Sequence, residues 1–217
     1  MRLRRLIPVA SILCVSILCA SAPAFAQSWI EYTSLGDRFS VNFPGEPTVV
    51  DTTYTSQYEA EYPARVYTRV NGQSRYSITV VNHTNAAEIF KARAANCPPD
   101  AQSDCSEGYW TVDIYAAPNH AANKFLTRAD EVTYFGYSRI DRIGGHQIQL
   151  INPDRSRSFV EIHMHENRLY IQEATVPAGA PEPSIFGQSL RFLDVKGQAV
   201  RYMTDYANGY PAPQRQR

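Results

Sequence analysis

The side chains best placed for chemistry stand at Glu161, His163 and His165, alternating with Ile162 and Met164. In an extended chain that period of two puts all three polar groups on one face. Two imidazoles and a carboxylate are a ligand set for zinc, copper or non-haem iron. If Glu166-Asn167 forms a two-residue turn, His165 faces Arg168, His163 faces Tyr170 and Glu161 faces Gln172. The opposite side then pairs Met164 with Leu169 and Ile162 with Ile171, and is apolar core. Two features weigh against a metal. Arg168 sets a fixed cation beside His165, and alternate side chains on a strand stand about 7 Å apart. The competing reading is a polar sheet face, solvated or helix-covered, with the histidines hydrogen-bonded to Tyr170 or Glu161. A covered face makes these residues structural, and an open cleft favours a metal or another ligand.

The chain has no Gly-x-Ser-x-Gly elbow, no phosphate-cradling glycine loop before Lys-Ser/Thr and no His-Glu-x-x-His. No catalytic residue and no cofactor is assigned on this reading. Tyr109 and Trp110 are either core or an aromatic edge for a partner. His83 and His120 read as loop or cap residues, and His146 as the start of a strand.

The elements must be placed in a compartment first. Arg2, Arg4 and Arg5 precede an apolar run from Leu6 to about Cys19, then Ala24-Phe25-Ala26. Charged head, short apolar middle and Ala-x-Ala exit predict a secretory signal peptide over 1–26, cleaved after Ala26. The run is shorter than the roughly 20 residues that span a bilayer, so no stable membrane insertion is expected after cleavage. Loss of three arginines takes 21 basic and 21 acidic groups to 18 and 21, a net charge of −3. That balance offers no footprint for nucleic acid. Cleavage leaves Cys97 and Cys105, with seven residues between them, and an oxidising compartment predicts a disulfide between them. Closing so short a loop stabilises by roughly 2–3 kcal/mol.

Period-two patterning predicts strands at 39–43, 48–54, 63–70 and 75–83, with a hairpin at Asn71-Gly72. A helix is expected from Asn85, capping with Glu88, to Ala95. Tyr109 to Tyr115 fits strand or helix, and Pro118 suits the first turn of a helix reaching Leu126. Strands follow at 132–140, 146–152, 158–165 and 168–175, with a turn at Gly144-Gly145. Helical spacing of Ile185, Phe186, Leu190 and Leu193 predicts a last helix over 184–193. The tail 208–217 is expected to be disordered. The whole is an α+β layout, an antiparallel sheet flanked by helices, in one domain over 27–207.

The stretch Phe39-Ser40-Val41-Asn42-Phe43-Pro44-Gly45-Glu46-Pro47 resembles the opening of secreted bacterial proteins with a PsbP-like fold. That resemblance implies an α/β/α sandwich around an antiparallel sheet. Residues Ser158 to Ile171, Thr175 to Pro183 and Phe186 to Leu190 resemble an uncharacterised family of exported alphaproteobacterial proteins, rhizobial relatives especially. This implies export and a fold, and no activity, because function does not travel with a fold alone. The expectation is a periplasmic or secreted, non-catalytic module for a protein, an envelope component or a small ligand. The alternative is a metal-binding protein or metal-dependent enzyme using Glu161, His163 and His165.

Overall fold

A computed structural model describes residues 29–97 and 106–206. The expected signal peptide, Cys105 and the tail 208–217 lie outside the described residues, so the cleavage site, the Cys97–Cys105 bridge and the tail are not described. Among the described residues, ten strands form two antiparallel sheets. The larger is a seven-stranded sheet built from β3 (Thr48–Thr55), β4 (Glu61–Asn71), β5 (Ser74–Asn82), β6 (Glu131–Ile140), β7 (Ile143–Ile151), β8 (Arg157–His165) and β9 (Arg168–Val176). Its spatial order is β3-β4-β5-β9-β8-β7-β6. The smaller joins β1 (Ile30–Ser34), β2 (Phe39–Phe43) and β10 (Arg191–Phe192) in the order β1-β2-β10.

Side-chain alternation makes the large sheet a partition between two cores. Ile148, Leu150, Val160, Ile162, Met164 and Leu169 face the helices α1 (Ala86–Ala94) and α2 (Trp110–Arg128). Ile78, Val80, Tyr170 and Ala174 face Phe39, Val41, Phe43 and Phe192 of the small sheet. β8 and β9 are therefore buried on both sides, and polar residues on β8 end up enclosed. The α+β class is as expected. The second outer layer is three strands and a single helical turn, α3 (Ser184–Gly187), where the sequence suggested a helix to residue 193. Leu190 and Leu193 are buried without continuing that helix, because Phe192 pairs with Phe39 as part of β10.

Several local expectations change for physical reasons. Trp110 to Tyr115 opens α2, with Tyr109 as its N-cap at the end of a 3-10 turn, and Pro118 sits inside that helix and not in its first turn. Packing of Ile114, Ala117, Ala121, Ala122 and Phe125 on the sheet outweighs the lost backbone bond at proline. Tyr109 and Trp110 are partly buried against the same core. Asn85 occupies the N-cap of α1 without a side-chain cap hydrogen bond. The β6–β7 turn is Asp141-Arg142, both with positive φ (49° and 67°), and Gly144-Gly145 lie inside β7. The Glu166-Asn167 turn is as expected, with φ of 46° and 55°, and its ladder pairs Glu161 with Gln172, His163 with Tyr170 and His165 with Arg168.

Candidate functional site

Glu161, His163 and His165 do share one face of β8, but they have different fates there. His163 and His165 are wholly buried under the small sheet and the segment that follows it. His165 Nε2 lies 2.8 Å from the Tyr202 hydroxyl, and its ring packs against Phe192 and Tyr206. His163 Nδ1 donates to the Ile143 carbonyl at 3.2 Å, and Nε2 faces Glu161 Oε2 at 3.4 Å. The room for this ring comes from Gly145, opposite it in the ladder. A Cβ there would strike the Ile162 carbonyl oxygen and the imidazole itself. Glycine is needed for the neighbour's ring, not for a turn. Both His163 nitrogens and His165 Nε2 are directed at groups of the protein, and the described residues contain no group of three or more His, Cys, Asp or Glu placed to hold a metal ion.

Glu161 differs. Its side chain is 13% exposed and borders two adjoining hollows. An inner recess of about 60 Å³ runs over Gln147, Gln149, Phe159, Gln172 and Phe186. An outer cleft of about 400 Å³ is rimmed by Arg139, Asp141, Arg191 and Arg201. Both hollows share Glu161, Gly187 and Gln188, so they form one groove between β6–β8 and the α3 segment. The register explains the floor: Gln147 pairs with Glu161, and Glu161 pairs with Gln172, a row of three polar side chains across adjacent strands. Gln172 is 1% exposed; its Nε2 donates to the Phe186 carbonyl at 2.6 Å, which fixes the amide's orientation. Its Oε1 is then left buried with no hydrogen-bond partner. The alternation of Gln147 and Gln149 was the sequence signal for this floor; nothing local marked the strand on which they would meet Glu161.

A second enclosed cluster lies on the other face. Asp113 of α2 is fully buried and accepts a 2.7 Å bond from the Tyr62 hydroxyl. Burial raises its pKa, with Tyr62, Ser56 and nearby cations opposing the shift. His83, expected to be an ordinary loop or cap residue, is buried and stacks on Tyr62 at 4.1 Å between centroids. Neither of its nitrogens makes a well-formed hydrogen bond; desolvation drives its pKa down to about 4, with the Val81 backbone opposing. The Tyr62–Asp113 bond and the contact of the His83 and Tyr62 rings tie this cluster together from within, and it is read as structural.

No known family model matches the chain, and no curated protein matches it. Among solved structures it is similar to the solution structure of cyanobacterial PsbP (CyanoP) from Synechocystis sp. PCC 6803, at 11% identity and a TM-score of 0.43. The match covers 81% of this chain and 98% of that one. The likeness concerns the course of the backbone alone.

Proposed function

We propose that this chain is an exported, non-catalytic binding module that takes its ligand in the Glu161 groove. The observation that carries the reading is Gln172 Oε1, an acceptor left unsatisfied at the base of a hollow. A buried acceptor without a donor costs about 1–3 kcal/mol, and a bound donor recovers that loss. The sealed histidines favour binding over metal chemistry, since three of their four ring nitrogens already face Ile143, Glu161 and Tyr202. Export rests on the leader over 1–26 and on the resemblance of residues 158–171 to exported alphaproteobacterial proteins. A Cys97–Cys105 disulfide belongs to the same proposal.

A photo-crosslinking residue at exposed Gln188, compared with one at Val49 on the far edge strand, tests the groove. Envelope material should be trapped from position 188 and not from 49. Equal trapping at both positions, or none at 188, would refute the groove. Intact mass of the extracellular or periplasmic chain tests export: it should begin at Gln27 and be two hydrogens lighter than the dithiol. A cytoplasmic chain retaining Met1 would overturn that part.

A further inference from the structure

We infer that β6 is a pairing edge whose occupant is β6 of a second copy of this chain, antiparallel about a two-fold axis normal to the sheet. Among the described residues β6 is hydrogen-bonded to β7 alone, so it ends the large sheet with an outer row of backbone donors and acceptors. The other sheet edges among these residues are blunted. β3 carries Asp51 at its middle, β1 is short and carries Glu31, and β10 has two residues, one of them Arg191. From Val132 to Ser138, β6 has no charge and three aromatic rings. Tyr134, Phe135 and Tyr137 are 44%, 50% and 65% exposed. Their rings nevertheless leave the backbone edge clear. Tyr137 lies over Gly144 of β7, Phe135 packs on His146 of β7 at 5.4 Å between centroids, and Tyr134 lies along its own strand over Gly136. The two glycines leave room for the rings to lie down on the sheet.

The strand's own pattern selects a copy of itself. A bulge at Thr133 interrupts the ladder; beyond it Phe135, Tyr137 and Arg139 take the α2 face, and Tyr134, Gly136, Ser138 and Ile140 take the other. A two-fold axis normal to the sheet reverses the strand and keeps like faces together. Centred on Gly136, it sets Phe135 opposite Tyr137 of the copy, twice, and Tyr134 opposite Ser138. Charge fixes the direction. Glu131 opens the strand and Arg139 lies near its end, so antiparallel pairing joins unlike ends and parallel pairing joins like ones. Arg139 already has an exposed contact with Asp205 at 3.3 Å, so affinity comes from the rings and the backbone bonds. Ser138, Arg139 and Ile140 also line the outer cleft, so pairing sets two Glu161 grooves side by side on one face of a continuous sheet. The pairing itself does not depend on what those grooves bind.

Sedimentation equilibrium of the purified chain, from low to high micromolar concentration, tests this. The parent should dimerise reversibly within that range. Tyr137→Lys and Phe135→Glu should each raise the dissociation constant at least about tenfold, because every dimer carries the change twice. Val50→Lys, at a comparably exposed position on β3, should leave it unchanged. Near-UV circular dichroism matching the parent's should show each variant folded. Combined in one chain, the two β6 changes should raise the constant by less than the product of their single effects, since the register sets each lysine opposite a glutamate of the other copy. A chain monomeric up to high micromolar concentration overturns the inference. So does a dimer that Val50→Lys dissociates and the β6 changes do not. A fully multiplicative effect in the combined variant overturns the Gly136-centred pairing. A monomer that traps an envelope protein through a photo-crosslinker at position 137 would give the edge to a foreign strand in place of a second copy.

Discussion

The large sheet encloses buried histidines on both sides, His163 and His165 on one and His83 on the other, and the two sides solve burial differently. Beneath the small sheet, His163 and His165 are each met by a polar partner: a backbone carbonyl and Glu161 for one, the Tyr202 hydroxyl for the other. On the helix side, His83 lies against the Tyr62 ring with the Val81 backbone as its polar neighbour, and Tyr62 itself donates to Asp113. The first arrangement adds directional bonds that hold β8 against the C-terminal segment. The second adds desolvation with little return. Buried imidazoles are thus a source of specificity on one face and of latent instability on the other.

The largest way to break the contrast is at the glycine that makes room for His163. Gly145→Ala should cost about 3 kcal/mol or more, lowering the melting temperature by roughly 6–12 °C. Gly179→Ala, with positive φ but open space around it, should cost about 1 kcal/mol. Equal losses at the two sites would refute the clash as the cause.

Acid should act through the opposite face. The unfolded chain binds a proton at His83 near pH 6.5, whereas the folded chain does so only near 4. The neutral ring's contribution is therefore fully present above pH 6.5 and lost as pH falls to about 4, a change of about 3 kcal/mol. Asp113 has the opposite sign: its raised pKa gives a contribution fully present below the unfolded value of 3.8 and lost as pH rises through the folded one. Denaturant melts across pH 7 to 4 should show a slope that His83→Leu flattens; a variant with the parental slope would exclude His83 as its source.

Tyr62→Phe removes the donor to a fully buried carboxylate and should cost about 2 kcal/mol, with Asp113→Leu in the same chain returning part of it. Additive losses in the double variant would show that the pair does not act as a unit. Smallest is His83→Leu at pH 7, expected within about 1 kcal/mol of the parent, against about 2 kcal/mol for His165→Leu, which removes the 2.8 Å bond to the Tyr202 hydroxyl. Reversal of that ranking would invert the comparison.

What was legible in the residues were features fixed by near neighbours. The β8–β9 ladder followed from alternation around Glu166-Asn167, and the shared face of Glu161, His163 and His165 followed with it. Features fixed by distant packing were not legible. Gly144-Gly145 resembled a turn because glycine is common in turns, whereas at Gly145 the demand comes from His163, eighteen positions on. His83 looked like a loop residue because its burial depends on Tyr62, twenty-one positions earlier on β4, which packs against its ring. Leu190 and Leu193 have helical spacing, yet Leu190 packs in a core assembled from β2 and β5, and the Leu193 N–H bonds the Arg38 carbonyl. The groove floor needed the strand order, which no local pattern carried.

β8 sends alternate residues into two unlike environments, and this makes chain length within the strand a structural variable. One inserted residue between Arg157 and Glu161 would reverse its faces if the ladder to β9 were rebuilt from the other end. It would deliver His163 and His165 into the aliphatic layer under α2 and set Ile162 and Met164 among the tyrosines. Substitution changes one contact at a time, whereas an insertion or deletion here exchanges both cores at once. Relatives of this chain are accordingly expected to vary in the letters of β8 long before they vary in its length.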